Sequence, residues 1–290
     1  MTGKIIKGIG GFYYVASGDS VYTLRAKGIL RNRNLKPLIG DVVEFTPADS
    51  INGEGSLDDI LPRRNQLIRP AVSNIDIICA VQACALPAPQ FYLLDRYLIS
   101  AEHQGVDLCV IFNKAELAEE MAPVYAKSYR DAGYPVFVTS AATSEGIDEL
   151  REFLHGKSAV FAGPSGVGKS SLTNILCPDA DMKTNGISRR IERGRHTTRH
   201  SEFFVAGEDT FICDTPGFTA VGFESLEEKD LRFYMPDIAA YEGKCRFNGC
   251  LHMAEPGCCV TEAVKNGTLS ATRYDSYVKI YQELKAERRY

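Results

Sequence analysis

The chain has 290 residues, 44% of them hydrophobic and 24% charged, with a formal net charge of −4. That length suits two or three domains with a well-buried core, and the net charge excludes a surface coated throughout for nucleic acid while leaving room for local basic patches. No apolar run approaches the ~18 residues of a membrane span, and no apolar stretch follows Met1 as in a signal peptide. Of nine cysteines, Cys79, Cys84, Cys109, Cys177 and Cys213 are scattered, while Cys245, Cys250, Cys258 and Cys259 crowd together. That pattern predicts a reduced cytoplasmic protein with one metal site, not a disulfide framework.

In chain order, residues 1–70 read as β structure. Gly3–Tyr14, Ser20–Arg25 and Asp41–Thr46 are rich in β-branched and aromatic residues, separated by Gly- and Asn-rich breaks. Several short strands in so small a segment predict an OB-fold β-barrel. The basic excess of this segment sits in Arg25, Lys27, Arg31, Arg33 and Lys36, either an RNA-contacting loop or a merely solvated one. Residues 71–222 alternate strand and helix. Ile75–Val81, Leu108–Phe112, Val136–Thr139 and Ala159–Ala162 read as buried parallel strands, and Phe91–His103 and Ile147–Leu154 as helices. Phe203–Val205 and Thr210–Cys213 read as a hairpin. This predicts a doubly wound α/β domain. Residues 223–290 read as a helical domain interrupted by a Cys-rich loop. Its last helix carries Tyr274, Tyr277, Val278, Tyr281 and Leu284 at helical spacing.

Four motifs lie on the strand ends of the α/β segment. Gly163-Pro164-Ser165-Gly166-Val167-Gly168-Lys169-Ser170, followed by Ser171, is a phosphate loop between a strand and a helix. Its glycines let backbone N–H groups curl around phosphates at a helix N-terminus. Lys169 reaches the β and γ phosphates, and Ser170 ligates Mg²⁺. Asp214-Thr215-Pro216-Gly217 supplies an outer-sphere Mg²⁺ carboxylate in Asp214 and a backbone N–H for the γ-phosphate in Gly217. Asn113-Lys114-Ala115-Glu116 ends a buried strand, where a base pocket belongs. A carboxylate there accepts from guanine N1–H and the exocyclic amine, a donor pair adenine lacks. Glu116 occupies the usual place of an Asp. Ser140-Ala141 fits the companion motif whose backbone touches the base.

An ordinary GTPase has its phosphate loop first and its guanine motif near the end. Here the guanine motif leads, and the rotated order predicts a circularly permuted GTPase. Residues 186–200 stand where switch I belongs, with Thr197 or Thr198 to complete the Mg²⁺ shell. Arg189, Arg190, Arg193, Arg195 and Arg199 either meet RNA phosphate or are plainly solvated. Phe218 follows Gly217 where many GTPases place a water-orienting Gln, and His196 is the nearest polar substitute.

Cys245-x4-Cys250-x-His252-x5-Cys258 offers three thiolates and one imidazole, a closed tetrahedral set for one structural Zn²⁺, with Cys259 left over.

The rotated motif order, Gly194-Arg195-His196-Thr197-Thr198 and the zinc spacing together resemble the RsgA/YjeQ family of circularly permuted, small-subunit-dependent GTPases, over essentially the whole length. The resemblance implies an OB-fold domain, GTP hydrolysis to GDP stimulated by the small (30S) ribosomal subunit and contact with its 16S rRNA. It further implies late 30S maturation and a catalytic role for His196. We expect a cytoplasmic monomer that uses Mg²⁺ with GTP. Two other classes compete: another P-loop nucleotide enzyme such as a kinase, and an RNA-binding zinc protein with a non-catalytic nucleotide site.

Overall fold

The computed structural model describes residues 1–28, 30, 35–48, 54–68, 70–178, 202–214, 223 and 226–287. Its contacts divide the chain into two compact units. One is Met1–Ile77 with Leu150–Phe161 and Lys169–Phe218; the other is Ile78–Glu149 with Ala162–Gly168 and Thr219–Tyr290.

The first unit begins with a closed barrel. Strands β1 (Thr2–Ile9), β2 (Phe12–Ser17), β3 (Ser20–Ala26), β4 (Val42–Thr46) and β5 (Gly55–Ile60) follow one another around it in the order β1-β2-β3-β5-β4. Every neighbour is antiparallel except β3 and β5. This is the Greek-key closure expected of an OB-fold. Alternation along the strands sends Ile5, Val15, Leu24, Val43, Phe45 and Leu57 inward, where they form one core with Leu30. The segment Gly3–Tyr14, read from sequence as one strand, is two, because Gly10 and Gly11 both take positive φ and turn the chain.

The chain continues through the two-residue strands β6 (Gln66–Leu67) and β7 (Val72–Ser73) to β8 (Ile77–Ala83), α1 (Phe91–Gln104) and β9 (Asp107–Asn113). Helix α2 (Ala122–Asp131), β10 (Val136–Val138), α3 (Ile147–Leu154), β11 (Ser158–Ala162) and α4 (Lys169–Leu176) come next. The hairpin β12 (Phe203–Gly207) and β13 (Thr210–Asp214) precedes α5 (Pro236–Ala239), α6 (Cys259–Lys265) and α7 (Ala271–Glu287). Strand and helix thus alternate as the apolar runs predict. Among the described residues no helix is long and apolar enough to cross a membrane.

Within the first unit, β11 lies parallel to β13, and β13 pairs antiparallel with β12. The barrel is tied to the beginnings of these strands. Lys4 of β1 donates to Ser158 Oγ at 2.5 Å and lies 4.6 Å from the centroid of the Phe211 ring. Burial pulls the Lys4 ammonium below its ordinary pKa, with Asp76 opposing. Asp41, fully buried, is the anchor at the barrel's exit. It receives Arg63 Nε at 2.7 Å and Nη2 at 2.9 Å, Ser73 Oγ at 2.6 Å and the Leu38 N–H at 2.8 Å.

Within the second unit the neighbours run β10-β9-β8, with β9 and β10 parallel. All of β8 is buried, as its unbroken apolar run requires. The helical segment has its own core, in which Ile99 of α1 packs with Leu231, Met235, Val260, Tyr277 and Ile280. Arg273 of α7 is only 1% exposed. It binds Asp95 of α1 at 2.5 Å and Asp237 through two nitrogens at 2.9 and 2.6 Å. Its guanidinium lies 5.2 and 5.3 Å from the ring centroids of Tyr129 and Tyr134.

Arg63→Ala should leave Asp41 as a buried charge without its counterion, at a cost of about 3 kcal/mol. Thermal unfolding should show the barrel melting well below wild type. An unchanged melting temperature would mean that the anchor is held by Ser73 and the backbone alone.

Candidate functional site

The phosphate loop leaves β11 at Ala162 and enters α4 at Lys169. Two of its glycines are dictated by close approach. Gly163 has φ +152°, and a Cβ there would lie 2.2 Å from the Val81 carbonyl oxygen. Gly168 has φ +97°, and a Cβ there would lie 2.2 Å from Asn113 Nδ2. Lys169 is only 7% exposed; burial lowers its pKa and Asp214 raises it. Ser170 Oγ donates to Asp214 Oδ2 at 2.6 Å. Burial holds the Asp214 carboxyl above its usual range, against the pull of Ser170 and Lys169. One ammonium, one hydroxyl and one carboxylate are thus gathered at the start of α4. Hydroxyl and carboxylate oxygens are the hard donors that suit Mg²⁺.

Asn113, at the end of β9, is fully buried. Its Nδ2 donates to the Val167 carbonyl at 2.9 Å, and its Oδ1 accepts from the Ala141 N–H at 3.2 Å and Thr139 Oγ1 at 3.3 Å. This carboxamide therefore braces the phosphate loop and the Ser140-Ala141 turn together. Ser140 is buried as well, its N–H on Glu145 O and its Oγ accepting from Thr143 N. Lys114 takes a left-handed φ of 61° and donates Nζ to the Leu86 carbonyl. Glu116 presents a buried carboxylate oxygen, Oε2, with no hydrogen-bond partner among the described residues. A buried acceptor without a donor is costly, so this oxygen is suited to an N–H donor supplied by a ligand.

The loop after β8 adds residues that sequence reading did not single out. Cys84 faces the Glu116 charge, and burial first, then that charge, pushes its thiol up to about 11. Leu86 supplies the acceptor for Lys114. The available signal was positional: ligands bind at the carboxyl ends of strands in such sheets, and the apolar run of β8 ends here.

Cys245, Cys250, His252 and Cys258 place their four ligand atoms within 4.8 Å of one another. His252 Nδ1 lies 3.5 Å from Cys245 Sγ and from Cys258 Sγ. Burial lowers the imidazole pKa, which favours the neutral ligating form. Burial, with the neighbouring thiols, pushes the Cys250 thiol up to about 12. Three sulfurs and one nitrogen match the donor set of structural Zn²⁺. Glu255 organises the loop by accepting the N–H groups of Leu251, Met253 and Ala254 at 2.8, 2.8 and 3.1 Å. From α7, Tyr274 donates to the carbonyls of His252 and Met253, and Tyr277 to that of Leu251. Cys259 is outside the four-ligand set: its Sγ donates to the Lys244 carbonyl, and its N–H donates to Cys245 Sγ at 3.3 Å.

His196, Thr197, Thr198, Gly217 and Phe218 lie outside the described residues, as do Arg31, Arg33 and the arginines of 189–199.

The RsgA GTPase family model matches residues 60–224, and the RsgA N-terminal domain model matches residues 2–55. The small ribosomal subunit biogenesis GTPase RsgA of Agathobacter rectalis is 47% identical over 302 residues, covering 100% of both chains. That of Alkaliphilus metalliredigens is 43% identical, covering 99% of each. Among solved structures, YloQ, a circularly permuted GTPase, aligns with a TM-score of 0.78 at 35% identity, over 99% of this chain and 95% of its own. YjeQ from Thermotoga maritima aligns with a TM-score of 0.77 at 32% identity, over 98% of each.

Cys250→Ser should lower bound metal from about one zinc per chain, as expected when a four-ligand site loses a thiolate. Metal analysis after gel filtration checks this. Full retention of zinc by the variant would remove Cys250 from the ligand set.

Proposed function

Because the chain belongs to the RsgA GTPase family, we propose that it hydrolyses GTP in the biogenesis of the small ribosomal subunit. The observation that carries this reading is the Asn113 brace, which joins guanine-motif and phosphate-loop residues that a permuted chain presents in reversed order. The two competing classes are less well supported. A kinase has no use for the Asn113–Glu116 and Ser140-Ala141 pair, and a purely structural nucleotide site has no use for Lys169, Ser170 and Asp214 gathered together.

In this reading the chain forms an OB-fold barrel over residues 1–70, a permuted GTPase domain over 71–222 and a zinc-binding helical domain over 223–290. Glu116 reads the guanine edge, Lys114 and the Ala141 backbone flank the base, and residues 163–171 wrap the phosphates. Lys169 neutralises charge that develops on the transferred phosphoryl group. Ser170 and Asp214, with Thr197 or Thr198, hold Mg²⁺, which would neutralise phosphate charge. Gly217 contributes a backbone N–H to the γ-phosphate. Phe218 cannot orient water, so His196 takes that part in the complex with the 30S subunit. The protein works as a cytoplasmic monomer in contact with 16S rRNA, and its zinc is structural.

GTP turnover measured with and without purified small subunits tests the whole reading. Stimulation is expected for wild type and not for Lys169→Ala. Full stimulated turnover in Lys169→Ala would rule out this phosphate site. His196→Ala should keep its GTP affinity and lose about 10²-fold in stimulated turnover, the scale of lost positioning. Wild-type turnover in that variant would refute the role of His196.

A further inference from the structure

The zinc-ligand loop carries side chains that ligation does not use. Between Cys245 and Cys250 stand Arg246, Phe247, Asn248 and Gly249, all exposed, with exposed Lys244 just ahead. Phe247 leaves 47% of its surface to water, whereas Leu231, Met235, Ile238 and Tyr277 of the same segment are buried. A lone exposed Phe is ordinary; its setting is what matters here. The Arg246 guanidinium carbon lies 5.5 Å from the centroid of the Phe247 ring.

The backbone beneath these side chains is held firmly. Cys250 N donates to Phe247 O at 3.3 Å, and Arg246 N to Gly257 O at 3.2 Å. Gly257 has φ +74°, and a Cβ there would lie 3.1 Å from Arg246 Cβ, so the arginine stem rests directly on the glycine. Cys245 and Cys250 anchor both ends of the loop in the ligand cluster. A ring held out in this way loses little freedom on binding. Nearby acids are engaged elsewhere: Glu242 pairs with Arg232 at 3.0 Å, and Glu255 caps the loop backbone. The tip itself carries Lys244 and Arg246 and no acidic residue, on a chain of net charge −4.

A cation, a flat π face and a carboxamide on three successive residues match the phosphate, face and edge of one nucleotide. Bases in a duplex hide their faces in the stack, so a protruding ring reaches only an unpaired one. We propose that the Lys244–Gly249 loop is an RNA-reading tip, stacking one unpaired small-subunit RNA nucleotide on Phe247 and holding its phosphate with Arg246 and Lys244. This rests on the ribosomal reading above.

The chain contains no tryptophan, so Phe247→Trp places a single indole at the tip. Short single-stranded RNA, and then purified small subunits, should quench it; duplex RNA of equal length should not. Phe247→Ala should weaken subunit binding about tenfold, and Arg246→Ala should lower the salt slope by about one. Both should retain zinc, GTP affinity and turnover without subunits. Absence of quenching by single-stranded RNA, or wild-type subunit affinity in Phe247→Ala, overturns the proposal. Weakened binding in Phe247→Ala without RNA quenching overturns it in favour of a protein surface on the subunit. Failure of the ribosomal reading looks different: wild-type turnover is then not stimulated by subunits, and the proposal falls with it.

Discussion

The carboxamide of Asn113 is the contact on which the candidate site depends. It is buried, and it ties Val167 of the phosphate loop to Thr139 and Ala141 beyond β10. A short, rigid side chain satisfied on both of its ends leaves each of those segments little choice of position. Gly168 is the counterpart of this constraint, since a Cβ there would strike the Asn113 nitrogen. Because the brace acts through space, it is indifferent to which segment comes first along the chain. That is the physical reason a rotated motif order is compatible with a conventional arrangement of strand ends.

A second buried node sets the helical segment. Arg273 makes five donors available in a fixed fork, and here they are shared between Asp95 and Asp237 under the rings of Tyr129 and Tyr134. Removing any member strands a charge in an apolar setting, so α7 and α1 are held in one register. From α7, Tyr274 and Tyr277 reach the carbonyls of the zinc-ligand loop. The cluster of three cysteines and one histidine is thereby organised by a helix placed both by this ion network and by apolar packing, and its exposed tip inherits that order.

Much of this is legible in the sequence. Unbroken apolar runs marked β8, β9 and β11, and helical spacing marked α1, α3 and α7, because both patterns follow directly from burial. β5 carries no strand pattern in the sequence. Its sequence, Gly-Ser-Leu-Asp-Asp-Ile, carries two carboxylates on a half-exposed face, and pairing with β3 and β4 overrides its poor local propensity. The division of Gly3–Tyr14 into β1 and β2 depended on two glycines turning, which composition alone does not distinguish from a strand interior. Motif spacing named Asn113 but not its targets, since a carboxamide's partners are set by tertiary approach. Cys84 and Leu86 carried no motif at all; their part follows from the loop geometry beyond β8.

The most direct measurement is calorimetric titration of GDP and ADP into wild-type and Asn113→Ala protein. The account predicts that wild type binds GDP in clear preference to ADP. It also predicts that Asn113→Ala, with its zinc retained, weakens GDP binding at least tenfold by releasing the brace. Equal affinity of wild type for the two nucleotides, or undiminished GDP binding by Asn113→Ala, would contradict it.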